Sequence, residues 1–178
     1  DTKIANILTT LIRMVKEQEF TAIHDISDGG LIITALEMAF AGNTGLELDL
    51  AKIGNYDAAH CFFAQEPGVV VACPNEKRSE LIAELVEAGV EYQLIGWAHE
   101  EDYVVVTYDG ELLVDTTMTD LRDAWEETSF AIAKQRVNPV SVEAERKAIR
   151  NVTSAPDWNL TFAPLATNAL ESGFMSSP

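Results

Sequence analysis

Between a short β-branched run and an apolar helical stretch stands His24-Asp25-Ile26-Ser27-Asp28-Gly29-Gly30, the one specific cluster of polar groups and glycines in this chain. A helix start leaves backbone N–H groups unpaired and carries a partial positive charge, so an anion is favoured there. Gly29 and Gly30 carry no Cβ and would let a phosphate approach the backbone closely. Asp25, at the strand end, is a hard oxygen donor of the type Mg2+ takes when carboxylates and nucleotide phosphates share it. The Ser27 hydroxyl is able to hydrogen-bond the same nucleotide. A plainer reading competes, with Ser27 or Asp28 as the helix N-cap and the glycines as a tight turn, and spacing alone favours it.

Other polar residues carry less. His24 reads as a half-buried strand histidine with one hydrogen bond. Glu66, ahead of an apolar run, is either a turn residue or the edge of a cleft. Glu47, Glu76, Glu80, Glu84 and Glu87 fall on alternating or helical faces that are ordinarily solvated. Cys61 and Cys73 lack CxxC spacing, and with His24, His60 and His99 they match no zinc pattern, so free thiols in a reducing compartment are expected. The net charge of -17, from 29 acidic and 12 basic side chains, argues against nucleic acid and anionic membranes as partners. A polyanionic ligand would need a cation between it and this surface.

The cluster needs a strand, a loop and a helix in that order, and the pattern supplies them. Thr21 to Ile26 is the strand, and Leu31 to Ala41 is helical and ends at Gly42-Asn43. Before them, Ile4, Leu8, Leu11, Ile12 and Val15 form a stripe that should pack a first helix over Asp1 to Phe20. Gly45 to Leu50 alternates apolar and acidic residues as a half-buried strand does, and Ala51 to Phe63 favours a short helix. The apolar run Gly68 to Cys73 predicts a central strand, followed by a helix over Glu76 to Ala88. Two strands, Tyr92 to Ala98 and Tyr103 to Tyr108, follow, and Asp109-Gly110 marks a hairpin into Glu111 to Val114. A long helix over Met118 to Val137 should face inward along Leu121, Trp125, Thr128, Ile132 and Gln135. Beyond Val140 only a turn or two of helix, around Glu143 to Arg150, is expected before a poorly ordered tail that Trp158 and Phe162 would pin.

The fold class is α+β, or mixed α/β, with helices on a mixed, partly antiparallel sheet. The 178 residues suit one domain, taken as 1–140, and a tail, 141–178. Neither a run of about 18 apolar residues nor a signal-peptide pattern occurs, so a soluble, cytoplasmic protein is expected. Because the chain opens on Asp1 within a helical pattern, it reads as a piece of a longer one.

Several segments together resemble a known family. His24 to Leu31, Glu37-Met38-Ala39-Phe40-Ala41-Gly42, Gly45-Leu46-Glu47-Leu48-Asp49 and Phe62 to Gly68 look like the second C-terminal synthetase domain of large, glutamine-dependent phosphoribosylformylglycinamidine synthases. So do Leu121 to Ser129 and Arg136-Val137-Asn138-Pro139, which relatives sharing only the domain fold lack. The resemblance implies the fold of the aminoimidazole ribonucleotide synthetase C-terminal domain. It also implies a part in the purine-biosynthetic, ATP-dependent conversion of formylglycinamide ribonucleotide to the amidine, with ammonia from a separate glutaminase domain. Carried over by motif position, Asp25 helps hold Mg2+ at an auxiliary ATP/ADP site and Ser27 contacts the nucleotide; that site is structural, so no catalytic residue is assigned.

The chain departs from the family at Gln65-Glu66-Pro67-Gly68, where Asn-Glu-x-Gly is expected, and 168–178 does not run on into a glutaminase. The expected partners are therefore the remaining synthetase and glutaminase domains, without which the piece is inactive and binds nucleotide poorly. Two other readings stay open: another ATP-using synthetase of the superfamily, of selenophosphate synthetase or hydrogenase maturation type, and a non-enzymatic interaction module in which Asp25 and Ser27 act as a helix cap.

Overall fold

The computed structural model describes residues 2–17, 19–51, 53 and 57–150. In chain order the elements are α1 (Thr2–Lys16), β1 (Ala22–Asp25), α2 (Gly30–Gly42), β2 (Gly45–Asp49), α3 (Ala58–Phe63) and β3 (Val69–Ala72). After a 3-10 turn at Asn75–Lys77 come α4 (Arg78–Glu87), β4 (Gly96–His99), β5 (Val104–Tyr108), β6 (Glu111–Thr116), α5 (Met118–Arg136) and α6 (Pro139–Arg150).

Strand alternation builds the main core. In β2, Leu46 and Leu48 point inward while Glu47 and Asp49 stay exposed, and Val104 and Val106 repeat that spacing in β5. The strands run in the order β4-β2-β5-β6. β2 is antiparallel to β4 and parallel to β5, and β5 is antiparallel to β6, so the sheet is mixed as expected for an α+β fold. Asp109 and Gly110 turn β5 into β6 with φ of 50° and 77°, the left-handed pair of a type I′ hairpin. Helix α2 lays Leu31, Ile32, Ala35, Leu36, Ala39 and Phe40 into this core.

Several elements sit differently from their sequence reading. The continuous apolar run of β3 is not central: among the described residues it pairs with β1 alone in a two-stranded antiparallel sheet, because an unbroken apolar run does not by itself say how many neighbours a strand has. Tyr92 and Leu94 are exposed, and strand β4 begins only at Gly96. On α1, Leu8, Ile12 and Val15 face solvent, and Met14 is buried instead against Leu81 and Leu85, with Phe20, Cys73 and Val90 around them. On α5 the inward line is Met118, Arg122 and Phe130, while Trp125 and Ile132 are exposed. Both helices carry apolar residues on more than one face, and a turn of one residue, roughly 100°, selects which is buried.

Helix α6 is longer than the turn or two expected, and it packs on α5, so the packed chain continues past 140 to Arg150. Buried Arg122 joins three elements: it donates from Nη1 to the Phe40 carbonyl and the Asn43 side chain, both at 3.4 Å, and from Nη2 to the Ile149 carbonyl at 3.1 Å. Its charge lies at the C-terminal ends of α2 and α6, where the helix dipoles favour a cation. Asp123 pairs with Arg146 at 3.3 Å and with Arg150. The tail expected over 151–178, with Trp158 and Phe162, lies outside the described residues.

Candidate functional site

Strand β1 is paired to its last residue, Asp25 opposite Val69, and the Ile26 N–H still donates to the Gly68 carbonyl at 2.9 Å. The chain then turns through Ser27 and Asp28, closing with Gly30 N–H on the Ser27 carbonyl at 3.0 Å. The N-cap of α2 is Gly29, left-handed at φ 87°, and no side chain caps the helix. The N-cap role open to Ser27 and Asp28 in the sequence is therefore filled by neither.

Each glycine is required by what lies against it. A Cβ on Gly30 would stand 2.6 Å from the Phe63 backbone carbon, and one on Gly29 would stand 2.4 Å from Ile33 Cγ1. Gly30 is buried under the end of α3, and its N–H is committed to Ser27, so the sequence picture of two glycines open to a phosphate does not describe Gly30 in this structure. Ser27 and Asp28 are exposed, and Asp28 Oδ1 accepts from Gln65 Nε2 at 3.4 Å.

The Asp25 side chain is 78% exposed, and a charged neighbour is the His24 ring, with Nδ1 3.6 Å from Oδ1. Its backbone is held more firmly than its side chain. The Asp25 carbonyl accepts from His24 Nδ1 at 2.7 Å and from the Thr34 hydroxyl at 3.3 Å. His24 Nε2 in turn lies 3.5 Å from Glu37 Oε2. Thr34 and Glu37 escaped the sequence reading as site residues, although a threonine on a buried helix face is a signal, since its hydroxyl needs an acceptor.

As a metal donor Asp25 is exposed and hard, which fits one corner of a Mg2+ shell, and Ser27 is exposed beside it in sequence. Among the described residues no group of three or more His, Cys, Asp or Glu side chains is arranged to hold a metal. A Mg2+ at Asp25 would therefore complete its shell with water, phosphate and groups from elsewhere. Glu66 is exposed and lies 3.6 Å from His60 Nε2.

A second polar region lies between α1 and α4, a surface hollow of about 230 Å³ lined by Glu17, Glu19, Lys77, Glu80, Leu81 and Glu84. Arg13 bridges its carboxylates, at 2.5 Å to Glu84, 3.4 Å to Glu19 and in contact with Glu17. The hydrogen bond to Glu84 holds the Arg13 pKa above its ordinary value. Burial, then the Glu84 charge, pushes the Glu19 carboxyl upward, and Glu19 Oε2 has no hydrogen-bond partner. Four carboxylates around one hollow repel phosphate.

No helix among the described residues is long and apolar enough to cross a membrane. The chain is 34% identical over 165 residues to a protein of Arabidopsis thaliana named probable phosphoribosylformylglycinamidine synthase, chloroplastic/mitochondrial, covering 93% of this chain and 12% of that one. It is 32% identical over 140 residues to the Homo sapiens phosphoribosylformylglycinamidine synthase, covering 77% of this chain and 10% of that one. The chain thus spans about a tenth of the length of these relatives. Among solved structures, Thermotoga maritima PurL complexed with ATP matches with a TM-score of 0.57 at 16% identity, over 64% of this chain and 20% of that one. The same protein complexed with ADP matches with a TM-score of 0.56 at 18% identity, over the same shares. At such identities the likeness is one of fold, and it agrees with the mixed sheet and its helices. The model for the family described as AIR synthase related protein, C-terminal domain, matches residues 3–109, from α1 through the β5–β6 turn, and the chain belongs to that family.

Proposed function

We propose that this domain is one part of a phosphoribosylformylglycinamidine synthase, an ATP-dependent ligase of purine biosynthesis. The enzyme would convert formylglycinamide ribonucleotide, glutamine and ATP to the amidine, with phosphate activating the amide oxygen before ammonia attacks. Within it, Asp25 would supply one oxygen to a Mg2+ and Ser27 a hydrogen bond to the same auxiliary nucleotide. The turn that ends in left-handed Gly29 presents both side chains to solvent. The metal neutralises phosphate charge that this acidic chain would otherwise repel. None of these residues acts as acid, base or nucleophile, and the domain alone is inactive.

The observation that carries this reading is Asp25 itself, a carboxylate largely exposed beside the His24 ring and tied at the carbonyl, at the end of a strand and ahead of a helix. The absence of a side-chain cap on α2 weakens the competing view of a non-enzymatic module whose Asp25 and Ser27 merely cap a helix. The ATP and ADP complexes of the Thermotoga protein support a nucleotide; Mg2+ rests on the chemistry of Asp25. The remaining synthetase and glutaminase domains would be the partners, 151–178 the connection toward them, and the cytosol the compartment, although the Arabidopsis relative is named for organelles.

The test is a thermal shift of this chain mixed with the remaining synthetase domains, with and without Mg2+ and ADP, beside Asp25→Ala. A ligand at a hundred times its Kd stabilises by about 2.7 kcal/mol. Stabilisation that disappears in Asp25→Ala supports the site, and equal melting in every condition leaves Asp25 a turn residue.

A further inference from the structure

Thr34 is 1% exposed, and its hydroxyl reaches two carbonyls, that of Asp25 at 3.3 Å and that of Gly30, one helical turn back, at 3.1 Å. A hydroxyl has one proton to donate, so the bond is shared between them. Those carbonyls belong to the two ends of the loop that carries Ser27, Asp28 and Gly29. Three residues further along the same face of α2, Glu37 places Oε2 3.5 Å from Nε2 on the far side of the His24 ring, whose Nδ1 donates to the Asp25 carbonyl. The Asp25 carboxylate is largely exposed and meets the His24 ring at 3.6 Å, so the space it can reach is set by the position of its backbone and of that ring. Mg2+ demands near-ideal octahedral geometry and tolerates little misplacement of a ligand.

We infer that Thr34, with Glu37 acting through His24, is a positioning residue: it staples the two ends of the loop and so aims the Asp25 carboxylate and Ser27 at the metal-bridged phosphates of a nucleoside diphosphate. This rests on the reading of Asp25 and Ser27 given above.

The experiment measures ADP affinity by calorimetry in the full-length enzyme that carries this domain, with and without Mg2+, alongside melting without ligand. In Thr34→Val the Mg2+-dependent tightening falls by roughly tenfold, as is usual when the support of a metal ligand is removed. Affinity for ADP without Mg2+ stays unchanged, and Thr34→Ser restores the tightening. Glu37→Gln, at a part-exposed position, gives a smaller loss in the same direction. In an Asp25→Asn background Thr34→Val has no further effect. A Thr34→Val enzyme that melts earlier yet keeps the full Mg2+ dependence overturns the positioning role alone. Full Mg2+ dependence in Asp25→Asn itself overturns the metal site and the positioning role together.

Discussion

The two sheets of this domain differ in what they bury and in what they offer. The four-stranded sheet sinks Leu46, Leu48, Val104 and Val106 into the main core. The β1–β3 ribbon leaves Ile23, Asp25 and Val69 open, and Asp25 is the residue proposed above as a metal ligand. A two-stranded ribbon is marginal by itself. Helix α2 reconciles the two, because its apolar residues pack on the large sheet while Thr34 and Glu37 grip the end of the ribbon. Stability is generated in one sheet and lent to the other, so damage to each should read out differently.

The largest effect is expected in the core: Leu48→Ala should cost about 2–5 kcal/mol in urea unfolding, and a loss under about 1 kcal/mol would break the contrast. Next comes the junction, where Gly30→Ala combines a φ of 70° with a Cβ pressed on the Phe63 backbone. A loss of about 1–3 kcal/mol is expected, with faster hydrogen exchange in α3 than in the large sheet.

Smaller is the effect of the α1–α4 hollow. The folded state holds the Glu19 proton more tightly than the unfolded chain does, so its favourable contribution is complete below about pH 4.5 and is lost as pH rises through the higher folded pKa. Arg13, Glu17 and Glu84 are the charges facing it. Glu19→Gln should raise the unfolding free energy at pH 7 by no more than about 1 kcal/mol and flatten that part of the pH profile. Smallest is Asp25→Asn, whose unliganded melting should stay within about 0.5 kcal/mol of the parent, since the side chain is solvated. A larger change would mean that the ribbon depends on the Asp25 carboxylate for its own stability.

Local chemistry was legible in the sequence where it acts within a few residues. The Leu46-Glu47-Leu48 alternation, the Asp109-Gly110 turn and the strand-loop-helix order around Asp25 all follow from neighbours along the chain. What the sequence did not disclose is settled between elements. Leu8, Ile12 and Val15 form a convincing stripe, but Met14 on the adjacent face meets α4 first. Val69 to Ala72 is apolar enough for a central strand, yet among the described residues β1 is the only strand that pairs with it. Of the two glycines that resemble an anion cradle, Gly30 is the one that lets Phe62 and Phe63 rest on α2. The grip of Thr34 on Asp25 spans nine residues and depends on the angle between a strand and a helix, which periodicity does not encode.

Arg122 bears on how this domain can be moved. Its guanidinium reaches into α2 and α6 at once, and Asp123 beside it is matched by two arginines of α6. A graft into another enzyme that stopped at residue 140 would strip Arg122 of the Ile149 carbonyl and leave Asp123 facing an open seam. The transplantable unit therefore extends at least through Arg150, and a division at residue 140 would cut through packed structure.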